Sequence, residues 1–295
     1  YEILMKTTIK IAWRNIWRTP LRSMIVISSI VLGIWAGIFV VAFCYGLNKQ
    51  RTQSSIQNYT SHIQILHPEY DNDFESKYVL ENIDSLTESL EKEEGIQGYA
   101  FRSMMFGMVS SAVKSNGVQI IGINANQEKK VSNIINKLTE GSYFDTKRKN
   151  SVLIGESLAK KLNVSLKSKI VLTFQDNENN IITGAFRICG IYKTQYSKYD
   201  ESHLFIQNID LHRLIKNDGY HQVAILCSSL SEVDQTQFSL KDKLDGYIIK
   251  DWKAISPELA YADEVMETWL FLIMMIIMLA LIFGIINTML MAVFE

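Results

Sequence analysis

SMIVISSIVLGIWAGIFVVAFCYGLN, residues 23–48, runs from Arg22 to Lys49 without a charged side chain. Coiled as a helix at about 1.5 Å per residue, it is long enough to cross a hydrocarbon core of about 30 Å. TWLFLIMMIIMLALIFGIINTMLMAVF, residues 268–294, passes the same test between Glu267 and Glu295. The overall composition, 47% hydrophobic with a net charge of −1, conceals this segregation. Core helices of water-soluble proteins seldom need such long apolar runs. A cleaved leader is disfavoured too, because Trp35, Phe39 and Phe43 stand where a small-residue cleavage site would fall. Two membrane spans are the expectation.

Charge orients them. Lys6, Lys10, Arg14, Arg18 and Arg22 precede the first span against a single acid, Glu2. The positive-inside rule puts that end in the cytoplasm and the large middle segment outside. Trp13, Arg14, Trp17, Arg18 and Arg22 fall into an aromatic stripe beside a basic one, the pattern of a helix lying among lipid headgroups. Residues 1–20 therefore read as a cytoplasmic interfacial amphipathic helix and 21–59 as the first transmembrane helix and its stalk. Residues 60–255 read as the extracytoplasmic domain, and 256–295 as the second stalk and transmembrane helix. Thr19-Pro20 and Ser256-Pro257 mark the helix starts, since proline suits the first helical position. Leu259, Ala262, Met266 and Trp269 follow a 3-4-3 spacing that predicts one packed stripe on the second stalk.

The spacing of small residues predicts where the spans pack. Ser29, Gly33 and Gly37 recur every four residues, and Gly284 and Thr288 repeat that interval beside the amide Asn287. With no ionisable residue inside either span, an ion or proton pathway through them is not expected. Between the stalks the pattern is α+β. Strands are predicted at 61–67, 100–113, 118–124, 151–155, 169–175, 181–192, 203–206, 222–227 and 247–251. Helices are predicted at 80–93, 127–138, 156–162, 211–216 and 231–244. The polar run 176–180 reads as a hairpin tip.

The sequence offers no GxxxxGK[ST] loop, GxSxG elbow, HExxH or CxxC. His62, His67, His203, His212 and His221 lack metal-site spacing and read as surface or half-buried structural residues. Cys44 lies in a span; Cys189 and Cys227 read as small buried hydrophobes, with a bridge between them left open. The lysine clusters are interleaved with acids, so nucleic acid is not an expected partner. Neither a catalytic residue nor a cofactor is assigned to this chain. Met5 reads as the natural start, and Glu295 falls where a helix should emerge into water, so a fragment is expected.

At this point three motifs carry a resemblance. Ile11-Ala12-Trp13-Arg14-Asn15-Ile16-Trp17-Arg18-Thr19-Pro20-Leu21-Arg22-Ser23 resembles the opening of ABC-transporter permeases of the MacB and lipoprotein-releasing (LolC/LolE) superfamily. Phe283-Gly284-Ile285-Ile286-Asn287-Thr288-Met289-Leu290-Met291-Ala292-Val293-Phe294-Glu295 resembles the end of their second membrane helix. Residues 152–164, followed by Ile188-Cys189-Gly190-Ile191-Tyr192, are similar to their periplasmic core domain. The resemblance implies four membrane helices, with a two-lobed outer domain, one lobe mixed α/β and one mainly β, between the first two. The β lobe would span about 141–208. It also implies a second permease copy or paralogue, an ABC ATPase that binds ATP and Mg on another chain or domain, and a periplasmic carrier or adaptor. Ser61-His62-Ile63-Gln64-Ile65 looks closer to the lipoprotein-releasing branch than to the efflux branch. A two-span receptor, with a ligand-sensing outer domain, is the alternative.

Overall fold

The computed structural model describes Thr7, residues 13–14, 20–145, 148–176, 178 and 180–294. The chain divides into two compact units: Tyr1–Arg51 with Tyr261–Glu295, and Thr52–Ala260.

The first unit is built on two long helices, α1 (Pro20–Ser55) and α10 (Pro257–Phe294), each beginning at the proline that the sequence marks. Both are long and apolar enough to cross a membrane. Their large side chains point outward: Trp35, Phe39 and Phe43 are all more than half exposed and stack successively at 5.7 and 6.0 Å. In water that surface would cost about 25 cal/mol per Å², whereas hydrocarbon removes the penalty. This is why the helices carry apolar residues around their whole circumference.

The second unit obeys the opposite rule. Its strands are β1 (Ile63–Leu66), β2 (Ile96–Ser110), β3 (Ser115–Ile123), β4 (Leu138–Gly141), β5 (Ser151–Gly155), β6 (Lys169–Gln175), β7 (Ile181–Tyr192), β8 (His203–Gln207), β9 (Gln222–Cys227) and β10 (Ile248–Asp251). Its helices are α2 (Pro68–Asp73), α3 (Ile83–Glu91), α4 (Ala125–Glu128), α5 (Glu156–Leu162), α6 (Ser197–Ser202), α7 (Asn208–Ile215), α8 (Val233–Lys243) and α9 (Trp252–Ile255). The strands form one sheet in the order β10-β1-β9-β2-β3-β8-β5-β7-β4, with β6 bonded to β2 and β7. Pairs β3–β8 and β5–β7 are parallel; the rest are antiparallel.

Side-chain alternation explains the pairing. Ile170, Leu172 and Phe174 on β6 are buried with Phe186 and Ile188 on β7, while Lys169, Val171, Gln175, Ala185 and Arg187 between and beside them face out. Burying each such side chain contributes about 2–3 kcal/mol. α5 buries Leu158, Ala159 and Leu162 and stops where Asn163 turns left-handed at φ 55°. Two larger cores result. One joins β5–β8 to Met105, Val109, Val118 and Ile120; the other gathers Ile56, Ile63, Ile65, Trp252 and Leu259.

Several expectations need correcting. Within the stretch expected as the β lobe, about 141–208, β6 pairs with β7 and also with the far half of β2, whose near half pairs with β9. The helix expected at 127–138 is instead the short α4, a 3-10 turn at Ile134–Lys137 and then β4. Asn124 caps α4 through its side-chain oxygen, and Leu138 is drawn into pairing with Tyr192 of β7. The first stalk leaves α-helical geometry at Ser55, short of Tyr59, and becomes a π-turn at Ile56–Thr60.

Candidate functional site

Glycine places the contact face of the helix pair. A Cβ on Gly33 would lie 2.5 Å from Leu281 Cδ2, so only glycine lets that leucine pack so close to the α1 backbone. A Cβ on Gly37 would sit 3.6 Å from Ile277 and Met274, ordinary van der Waals contact. Farther along the pair, Asn48 Nδ2 donates to Asp263 Oδ1 at 2.7 Å. The partly covered stripe on α10 steps by four from Ile277 through Leu281 to Ile285.

Not every predicted packing residue joins this face. Ser29 is exposed, one position away from the half-covered Ile30. Among the described residues, a Cβ on Gly284 would meet nothing within 4 Å beyond its chain neighbours and the backbone of α10 itself, since Gly284 sits about 100° around α10 from Ile285. The side chains of Asn287 and Thr288 lie outside the described residues. On the second stalk Leu259 is buried in the outer core, and Ala262 and Met266 are half-covered. Trp269 is exposed, and Leu270 takes the covered position instead; from Met266 the stripe steps by four rather than three. Of the interfacial residues, Trp13 and Arg14 are helical and exposed. Trp17 and Arg18 fall outside the described residues, as does the side chain of Arg22.

The outer unit contains a polar framework that no sequence signal announced. Arg102, on β2, makes a bidentate ion pair with Glu128, at the end of α4: Nη2 to Oε1 at 2.6 Å and Nε to Oε2 at 3.0 Å. Both side chains are sealed from solvent, and Gln222 accepts from Nη1 at 3.3 Å. Burial works to lower the pKa of Arg102, but the carboxylate beside it prevails and the guanidinium stays charged.

The histidines are more buried than the sequence suggested. His62, His212 and His221 are all buried. His62 Nδ1 accepts the Cys227 amide at 2.8 Å, and His221 bridges the Met104 amide and the Ser76 carbonyl. Burial pushes the imidazoles of His203 and His221 down to about 4. Ser103 Oγ lies 2.8 Å from His212 Nε2, and His212 Nδ1 lies 3.3 Å from Asp218, the order of a nucleophile, base and acid. Ser103 is nevertheless wholly buried and bonds the Gly219 carbonyl at 2.8 Å, which gives a substrate no approach. Among the described residues no group of three His, Cys, Asp or Glu side chains could hold a metal ion. Cys189 and Cys227 are free thiols, each raised to about 11 by burial, and they pack in different cores.

Two apolar helices flanking a mixed α/β domain define a membrane protein with one large domain between its spans. The family model described as MacB-like periplasmic core domain matches residues 23–243, and the chain belongs to that family, the outer part of ABC-transporter permeases. Among solved structures, the extracellular domain of the noncanonic ABC-type transporter YknZ from Gram-positive bacteria is 14% identical. It matches 65% of this chain and 100% of its own, with a TM-score of 0.45. The periplasmic region of MacB from Actinobacillus actinomycetemcomitans is 16% identical, matching 70% of this chain and 95% of its own, with a TM-score of 0.46. No curated protein matches the sequence.

Proposed function

We propose that the chain is the permease part of an ABC transporter, in which ATP hydrolysed on another chain or domain drives movement of the periplasmic domain. The observation that carries this reading is a MacB-like domain flanked in sequence by two helices that each contain a long charge-free run, residues 23–48 and 268–294. Charge bias before the first span favours the cytoplasmic (inner) membrane, with the N-terminal end inside and the outer domain in the periplasm or outside the cell. The chain would then work with an ABC ATPase that binds ATP and Mg, beside a second copy or paralogue. A periplasmic carrier or adaptor would receive the substrate. Lipoprotein release and efflux of an envelope substrate are the two activities compatible with the family, and the short 61–65 motif favours release.

In this reading the Gly33–Leu281 contact fixes the two spans against each other, and the interfacial residues Trp13 and Arg14 hold the cytoplasmic end among the headgroups. The test is affinity purification of the full-length protein from its own membranes, with mass spectrometry of the copurifying chains. A stoichiometric ABC ATPase is expected. A histidine kinase in its place would move the assignment to a two-span receptor.

A further inference from the structure

The stretch that leads the first helix into the outer domain carries backbone strain. After Ser55 the chain makes a single π-turn, closed by the Ser61 amide donating to the Ile56 carbonyl at 2.9 Å. Such turns are rare and gather at functional places, since each carries one residue more than an α-turn. Ser61 then adopts φ 60° with ψ −177°, a region that glycine enters freely and a Cβ resists.

Unsatisfied oxygens add to the strain. Asn58 Oδ1, Thr60 Oγ1, Ser61 Oγ and Ser132 Oγ are buried with no hydrogen-bond partner among the described residues. Ser132 comes alongside because the next amide, that of Asn133, donates to the Gln57 carbonyl at 2.7 Å. All four residues are less than a tenth exposed. Native proteins satisfy nearly all such atoms, and an exception calls for a cause.

The surroundings hold this arrangement in place. Ile56 is sunk in the core, Gln64 Nε2 donates to the Thr60 carbonyl at 2.8 Å, and the His62 amide bonds the Ile225 carbonyl at 2.9 Å. Strained backbone persists only where its neighbours over-determine it. Strain, a surplus residue and four unpaired oxygens together describe a segment with an alternative close in free energy.

We infer that the Ile56–Ser61 turn is one state of a two-state latch. In the other state the surplus residue leaves the turn, and an α-type bond from the position 60 amide to Ile56 replaces the bond from position 61. Ser61 returns to negative φ, and the stranded hydroxyls and amide take backbone partners. Because the latch lies wholly within Thr52–Ala260, the permease reading supplies only its trigger.

Hydrogen–deuterium exchange on the full chain in lipid nanodiscs tests this, read at the position 61 amide, which is bonded only in the π state. Ser61→Gly relieves the strain of that state. Glycine ordinarily loosens a turn and speeds exchange; the latch requires the reverse, about ten-fold slower exchange at position 61. Thr60→Val, which removes an unpaired buried hydroxyl, should slow the same amide. Unchanged or faster exchange in both variants, with the rest of the domain protected as before, would overturn the latch. So would a native position 61 amide as slow as those of β1. No ATPase or substrate enters the assay, so its failure would leave the permease reading standing, and loss of the ATPase partner would leave the latch untouched.

Discussion

The helix pair and the outer domain spend apolar side chains in opposite ways. In α1 the aromatic ladder Trp35–Phe39–Phe43 faces outward, and the covered stripe is narrow and depends on Gly33. In the outer domain Ile, Leu and Phe go inward, and even charged Arg102 and Glu128 go with them. Burial against water stabilises the second region, while close packing in lipid stabilises the first. The two should therefore fail under different insults.

The sharpest break should come at the buried ion pair. Arg102→Met or Glu128→Leu alone strands a buried charge and should destabilise the outer domain by about 3–5 kcal/mol. The double replacement should recover most of that loss, measured by urea unfolding in detergent, while helix-pair association is unchanged. Similar losses for the single and double variants would show that the pair matters for its shape alone.

Acid should come next, and it too should act on one region only. His203 and His221 have folded pKa values of about 4 against an unfolded value near 6.5, so the unfolded chain binds more protons in between. Their contribution to stability is present above pH 6.5 and lost as pH falls toward 4, about 3 kcal/mol for each. Asp200, raised by burial, offsets part of this loss. Unfolding measured from pH 7 to pH 4 should show the decline, and His221→Gln should flatten it. No charged side chain lies between residues 23 and 48, so that span should not respond.

Smaller effects sharpen the comparison within the helix pair. Gly33→Ala should weaken helix association by about 1–3 kcal/mol, because its Cβ enters the space of Leu281. Gly37→Ala should cost less, and Gly284→Ala almost nothing, measured by cross-linking between α1 and α10 in detergent. A cost at Gly284 equal to that at Gly33 would mean that a further helix packs there.

How much of this was readable in the sequence depended on whether the determinant was local. Strands β5, β6, β7 and β9 match their predicted limits because alternation or an unbroken apolar run declares them. The segment 127–138 misled because its helical pattern lost to a pairing with Tyr192, far along the chain. Arg102 and Glu128 lie 26 positions apart in the sequence with no motif linking them; only the fold brings them together. The glycine stripe named Gly33 and Gly37, but spacing alone could not tell that Ser29 and Gly284 face elsewhere. The π-turn left no mark, since Ile56-Gln57-Asn58-Tyr59-Thr60 reads as an ordinary end of a helix.

The coupling of the two regions is best tested by hydrogen–deuterium exchange of the purified complex, with its ATPase, with and without ATP and vanadate. The permease account predicts that trapping nucleotide changes exchange within residues 52–64 and 252–260, and that Gly33→Leu with Gly37→Leu abolishes the change while leaving the outer domain folded. Identical exchange throughout the outer domain in both nucleotide states would contradict it.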